Sequence, residues 1–231
     1  MAQKPFIILT QLEYQLKFRL ELVWCWLMII GAVVLAAGKS ERMGQNKLFL
    51  SLNGKALIDN ILDAVAVAGI DEQVIVLGHK PEMVIEAIKP RLHTLKIAVN
   101  EDYEQGMTSS FQKGLQMLPY VDAAFLVLGD EPIFDPNVLN VMIQQMENSQ
   151  GKALIVSPIH KGKKGHPLLF HRQLFAEILN LKNPQTIRDI VHRYADRLLT
   201  IEAPQWAIID IDTPEDYARI INLIKTGHYV L

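Results

Sequence analysis

Ile29–Lys47 reads IIGAVVLAAGKSERMGQNK. Its first part, Ile29–Ala36, is uncharged and rich in β-branched residues, which suits a strand buried on both faces. The rest turns abruptly to small and basic residues. Such a change marks the carboxyl end of a parallel strand, the place where open α/β sheets bind ligands. Small residues around Gly38 let the backbone approach a ligand, and Lys39, Arg42 and Lys47 bring positive charge. The stretch therefore reads as a triphosphate cradle, with backbone N–H groups facing phosphate oxygens and cations balancing charge on a leaving pyrophosphate. It is neither G-x-G-x-x-G nor a P-loop, because Lys47 lies three residues after Gly44 rather than directly after it. An ordinary strand-to-helix turn with solvated Lys and Arg explains the glycine content as well, and on that content alone it is the better reading.

Outward from this stretch, short apolar runs alternate with helical periodicity, the pattern of an α/β protein. Gln73–Leu77, Leu95–Val99, Ala123–Leu128 and Ala153–Ser157 read as further buried strands, and Ala56–Ala68, Pro81–Ile88, Thr108–Leu118 and Pro136–Met146 as crossover helices. Pro81 and Pro136 suit a first helical turn. A mostly parallel sheet with helices on both faces follows, with Gly38, Gly78-His79, Asn100 and Gly129-Asp130 at its carboxyl edge. His160–Gly165 (HKGKKG) is the most loop-like segment and is expected to open a substrate-binding flap.

The 231 residues suit one large domain. We divide them into an N-terminal extension, 1–28, and a domain at 29–231. Phe6–Glu21 reads equally as an amphipathic helix or an unstructured extension. Leu22–Gly38 is uncharged over almost the length of a membrane helix, but its β-branched second half favours a strand, and Met28 is a plausible start. A net charge of −2 provides no basic excess for nucleic acid. The single Cys25 excludes an internal disulfide and a Cys-based zinc site, and it fits a reducing, cytoplasmic setting.

LAAGKSERMGQNK at Leu35–Lys47 resembles the motif L-A-[AG]-G-x-S-x-R-M-G-x-x-K of the MobA-like nucleotidyltransferases. Asn100–Ser110 (NEDYEQGMTSS), Gly129–Pro132 (GDEP), Gly165–Pro167 (GHP) and Asp210–Tyr217 (DIDTPEDY) follow in the same order. The resemblance spans Ile29 to Ile220, and within the group it is strongest to the molybdenum cofactor cytidylyltransferases. It implies a Rossmann-like nucleotidyltransferase fold and transfer of CMP from CTP to the phosphate of a molybdopterin-type acceptor. A molybdoenzyme or cofactor-insertion protein is the partner it suggests.

The resemblance also implies roles for residues. Leu35, Ala36, Ala37, Gly38, Arg42, Lys47 and Ser110 would bind nucleotide, Arg42 and Lys47 acting in catalysis. Ala37 stands where the family's GTP users tend to carry glycine, which favours CTP. Asp130 and Asp210 would hold Mg²⁺, an ion that takes one or two carboxylates with phosphates and waters. Asp210 is preferred to Asp212, which an N-cap before Thr213-Pro214 would explain. Thr108 or Ser109 likewise suits a helix cap. Glu131 stands where the family commonly has an amide or Met, and it would either strengthen metal binding or face solvent. Gly165 and His166 would meet the acceptor; Lys161, Lys163 and Lys164 either attract its phosphate or form a solvated loop. His79, His93, His160, His171, His192 and His228 show no metal-ligand spacing.

An acceptor phosphate is already an anion near neutral pH and needs no general base, so positioning and charge stabilisation carry the reaction. A sugar-phosphate or methylerythritol-phosphate acceptor, GTP as donor, and a non-catalytic nucleotide-binding cofactor chaperone are the rival readings.

Overall fold

The computed structural model describes residues 28–40, 43–133 and 135–226. The expectations for Phe6–Glu21, Cys25, Arg42 and His228 fall outside the described residues. The strands are β1 (Ile30–Ala36), β2 (Ser51–Leu52), β3 (Lys55–Ala56), β4 (Glu72–Leu77), β5 (Lys96–Val99), β6 (Ala123–Leu128), β7 (Ile155–His160), β8 (Lys163–Lys164), β9 (Leu168–His171) and β10 (Leu198–Glu202). The helices are α1 (Leu57–Val67), α2 (Pro81–Ala87), α3 (Met107–Leu115), α4 (Asn137–Asn148), α5 (Phe175–Leu179), α6 (Ile187–Arg193) and α7 (Pro214–Lys225).

One sheet runs β10-β7-β9-β6-β1-β4-β5, with β8 paired to β7. β1 lies inside it, parallel to both β4 and β6, with Val33 opposite Val74 on one side and Leu126 on the other. Its residues divide between two cores because successive side chains point to opposite faces. Ala32 and Val34 pack with Ile58, Ile61, Val84, Leu139 and Ile220, from α1, α2, α4 and α7. Val33 packs with Phe111, Leu115, Ile178 and Ile190, from α3, α5 and α6. Helices thus cover both faces, as the apolar runs require. The described part of Leu22–Gly38 is this strand and the loop after it, and among the described residues no helix is long and apolar enough to cross a membrane.

The start of β1 is held by carboxylates. The backbone N–H groups of Met28, Ile29 and Ile30 donate to Glu147, Asp122 and Asp71 at 3.1, 3.0 and 2.7 Å.

Four local readings are corrected. The fifth strand begins at Ile155, two residues late, where its parallel partner β10 starts at Leu198. α3 begins at Met107 with Gly106 as N-cap, φ 100°, so neither Thr108 nor Ser109 is the cap. Pro136 precedes α4 instead of lying in its first turn, whereas Pro81 is the first residue of α2. His160–Gly165 is a tight hairpin joining β7 to β8, with His160 opposite Lys163 and Lys161 and Gly162 both at positive φ. Two such residues suit the turn whose twist matches the flanking strands.

Candidate active site

The glycine loop after β1 lines a cavity of about 590 Å³, together with Lys47, Gly129, Asp130 and Asp212. Neighbouring chain closes tightly beneath it. Gly129 donates to the carbonyl of Leu35 at 2.9 Å, and a Cβ at Gly129 would collide with that oxygen. Ala37 is buried, its carbonyl accepting from His79 N–H at 3.3 Å. Ser40 turns the loop at φ 55°, and its hydroxyl accepts from Lys47 N–H at 3.2 Å. Asn46 then caps the short 3-10 helix Lys47–Phe49. The loop is thereby led back so that Lys47 donates to Asp130 and, at 3.2 Å, to Asp212. Across the cavity Lys39 pairs with Glu104 at 2.5 Å and lies 5.9 Å from the Tyr103 ring centroid. The Lys39 ammonium holds the exposed Glu104 carboxyl below the usual carboxylate range.

The acids come from two chain segments joined by a backbone bond. Asp130 follows β6, and its carbonyl accepts from Ile211 N–H at 3.1 Å. In the extended run 209–212, Ile209 and Ile211 are buried while Asp210 and Asp212 face outward, as a period of two demands. Asp210 and Asp212 both line a cavity with Asp130, but their partners differ. Asp212 bonds Lys47, and the N-cap of α7 is Thr213, in a capping box with Asp216 and with Pro214 next in the chain. Asp210 instead lies beside Glu131.

Asp130 and Asp212 offer hard oxygen donors around a position where a cation, the Lys47 ammonium, already rests. That donor set fits Mg²⁺ or Mn²⁺. Among the described residues no group of three or more His, Cys, Asp or Glu side chains is arranged to hold a metal. Substrate oxygens and waters would have to complete the coordination, the usual arrangement for magnesium at phosphates.

Asp130 and Asp212 also line a second cavity of about 390 Å³, with Gly165, His166, Lys163 and Arg188. The His166 backbone is clamped there. Gly165 N–H donates to Pro158 and His166 N–H to Ala207, both at 3.0 Å. Gly165 lies so close to the Ala207 carbonyl that no side chain fits. Glu131 does not face solvent. It is buried at 7% exposure and shares a 3.0 Å hydrogen bond with His166 Nδ1. Burial pushes its carboxyl up to about 7, His166 opposing and Asp210 reinforcing the rise. Burial alone would lower His166, but Glu131, Asp210 and Asp130 outweigh it and raise the imidazole. The two groups titrate as a pair.

Ser110 is 3% exposed and accepts from Asn100 Nδ2 at 3.0 Å, bracing the first turn of α3 against the end of β5. The first cavity's wall from this segment is Tyr103 and Glu104, for which the sequence reading assigned no role although they lie inside a matched motif. Arg188 had no motif at all. Its only sequence signal is the Thr186/Asp189 pair, the capping box of α6.

The molybdenum cofactor cytidylyltransferase of Escherichia coli (strain K12) is 26% identical over 188 residues, 81% of this chain and 93% of that protein. The crystal structure of Rv0371c from Mycobacterium tuberculosis H37Rv matches with a TM-score of 0.70 at 26% identity, covering 84% of this chain and 98% of that one. A structure of Rv0371c in complex with manganese matches over the same shares at 0.68 and 25%. The family model for the MobA-like NTP transferase domain matches residues 32–198, from β1 to the first residue of β10. With the fold, the loop and the paired acids in agreement, the chain belongs to the MobA-like NTP transferase family and is a nucleotidyltransferase of that type.

Proposed function

We propose that the protein transfers CMP from CTP to the phosphate of molybdopterin or its molybdenum-loaded form, releasing pyrophosphate. The observation that carries this reading is that Asp130 and Asp212 line both cavities at once, the glycine loop bordering one and His166 the other. A phosphorus atom at that border is reachable from both sides, as an in-line displacement requires.

In this reading the triphosphate lies along Leu35, Ala36, Ala37 and Gly38, with Arg42 and Lys47 balancing the charge on the leaving pyrophosphate. Lys47 then exchanges its carboxylate partners for phosphate oxygens. Asp130 and Asp212, with Asp210 as the ligand implied by resemblance, would hold Mg²⁺, which when bound neutralises phosphate charge and orients the reacting groups. Gly165 and His166 receive the acceptor, whose phosphate is its own nucleophile. Ala37 and the likeness to a molybdenum cofactor cytidylyltransferase support CTP and this acceptor. Residues 1–28 form an extension outside the catalytic domain.

A panel of CTP, GTP, ATP and UTP against molybdopterin, a sugar 1-phosphate and methylerythritol phosphate, read by pyrophosphate release, tests the reading. CTP with molybdopterin should be the best pair. CTP bound without release under every acceptor would point to a cofactor chaperone.

A further inference from the structure

We propose that Glu131 is a positioning residue: it fixes His166 so that Nε2, and not Nδ1, is the ring nitrogen presented to the acceptor. The inference rests on the acceptor reading of the second cavity. It assigns Glu131 to the histidine rather than to the cation.

Three observations carry it. The His166 backbone is anchored by the bonds from Gly165 and His166 N–H, and by the close approach of Gly165 to Ala207, so ring rotation is the freedom that remains. Glu131 removes that freedom through the 3.0 Å bond from Nδ1. Both side chains line the second cavity, but that of Glu131 is only 9% exposed while that of His166 keeps 28%, so the ring is the more open of the two.

The choice of a carboxylate has a chemical consequence. A glutamine in the same place could turn either its oxygen or its NH₂ group to the ring, and so accept both neutral forms of histidine. The Glu131 carboxyl engages Nδ1 whichever partner carries the shared proton, and Nε2 is then the ring nitrogen left to face the cavity. Carboxylates that orient a histidine in this way behind metal sites typically contribute about 10- to 100-fold to affinity or activity. Burying an acid here is costly, which is expected where orientation is what the residue supplies.

The test compares Glu131→Ala, Glu131→Gln, His166→Ala and the Glu131→Ala/His166→Ala pair in the full chain. Acceptor KM for molybdopterin should rise about tenfold or more in Glu131→Ala and only about threefold in Glu131→Gln, the KM for CTP staying within about twofold. Adding Glu131→Ala to His166→Ala should cost nothing further. Long-range ¹H–¹⁵N spectra of His166 should show one ring environment in the wild type and in Glu131→Gln, and a mixture of ring environments in Glu131→Ala. Mn²⁺ affinity, followed by electron paramagnetic resonance with CTP present, should be the same in wild type and Glu131→Ala. Additive losses, a shift in CTP KM, spectra of His166 unchanged in Glu131→Ala or a tenfold loss of Mn²⁺ affinity would each overturn the proposal. Absence of pyrophosphate release by the wild type with molybdopterin would instead defeat the acceptor reading, and the spectra and Mn²⁺ titration would still judge Glu131.

Discussion

Asp130, from the middle of the domain sequence, and Asp212, from near its end, hold the same Lys47 ammonium group. Three groups to which the proposed reaction gives roles are thereby gathered at one point. The ammonium balances two carboxylates that would otherwise repel, and in the proposed function a divalent cation would take its place between them. Under that proposal, binding of metal and nucleotide is coupled to release of Lys47.

Replacing Asp130 by Asn tests the acid side of this arrangement. Turnover should fall about 100- to 1,000-fold, the range for removing one preorganised charge-stabilising group, while CTP binding weakens far less. Near-normal turnover would remove Asp130 from the site.

Two glycines make opposite predictions. At Gly38 an added Cβ meets nothing within 4 Å, so Gly38→Ala should keep the melting temperature and raise the KM for CTP. At Gly165 the same change drives a methyl into the Ala207 carbonyl, so Gly165→Ala should lose stability by about 3 kcal/mol or more, or displace the His166 loop. Thermal melting and CTP titration of both variants separate the roles. Equal Tm losses would contradict the assignment of Gly38 to nucleotide contact.

A chain beginning at Met28 should fold and keep its turnover. β1 is secured from that point by bonds to Glu147, Asp122 and Asp71, and a terminal ammonium at Met28 would add an ion pair with Glu147. Aggregation or loss of the melting transition in the shortened chain would show that the first 27 residues are needed by the domain.

How much of this was legible in the sequence depends on what each element answers to. β1 and β6 were readable because burial on both faces leaves an unbroken apolar run. β9 was not. It enters antiparallel between β6 and β7, with Phe170 opposite both Ala124 and Ile155, and a four-residue strand carries no mark of its direction. α5 and α6 are too short for periodicity to show. Asn53-Gly54, both at positive φ, is a local signal for the β2–β3 hairpin, but two-residue strands do not stand out in an α/β pattern. In the site, Lys47, Asp130 and His166 follow from motifs, whereas the pairing of Lys47 with Asp212 and of Glu131 with His166 depends on contacts spanning 165 and 35 positions. No local spacing rule reaches that far.

Nucleotide choice tests Ala37. Ala37 is buried in the glycine loop, and one methyl group set near a base would be worth about 1–3 kcal/mol of discrimination. Ala37→Gly should therefore relax the preference for CTP over GTP without altering the metal requirement. An unchanged ratio of kcat/KM values would reject this role and leave the rest standing.

Group transfer to a phosphate acceptor is tested most directly by following the phosphorus. With CTP labelled at the α-phosphate, molybdopterin and Mg²⁺, the wild-type protein should move the label into a pterin-bound CMP ester, one equivalent for each pyrophosphate released, and the label should stay in CTP when molybdopterin is omitted. Label appearing as free CMP at the same rate with and without molybdopterin would contradict the account.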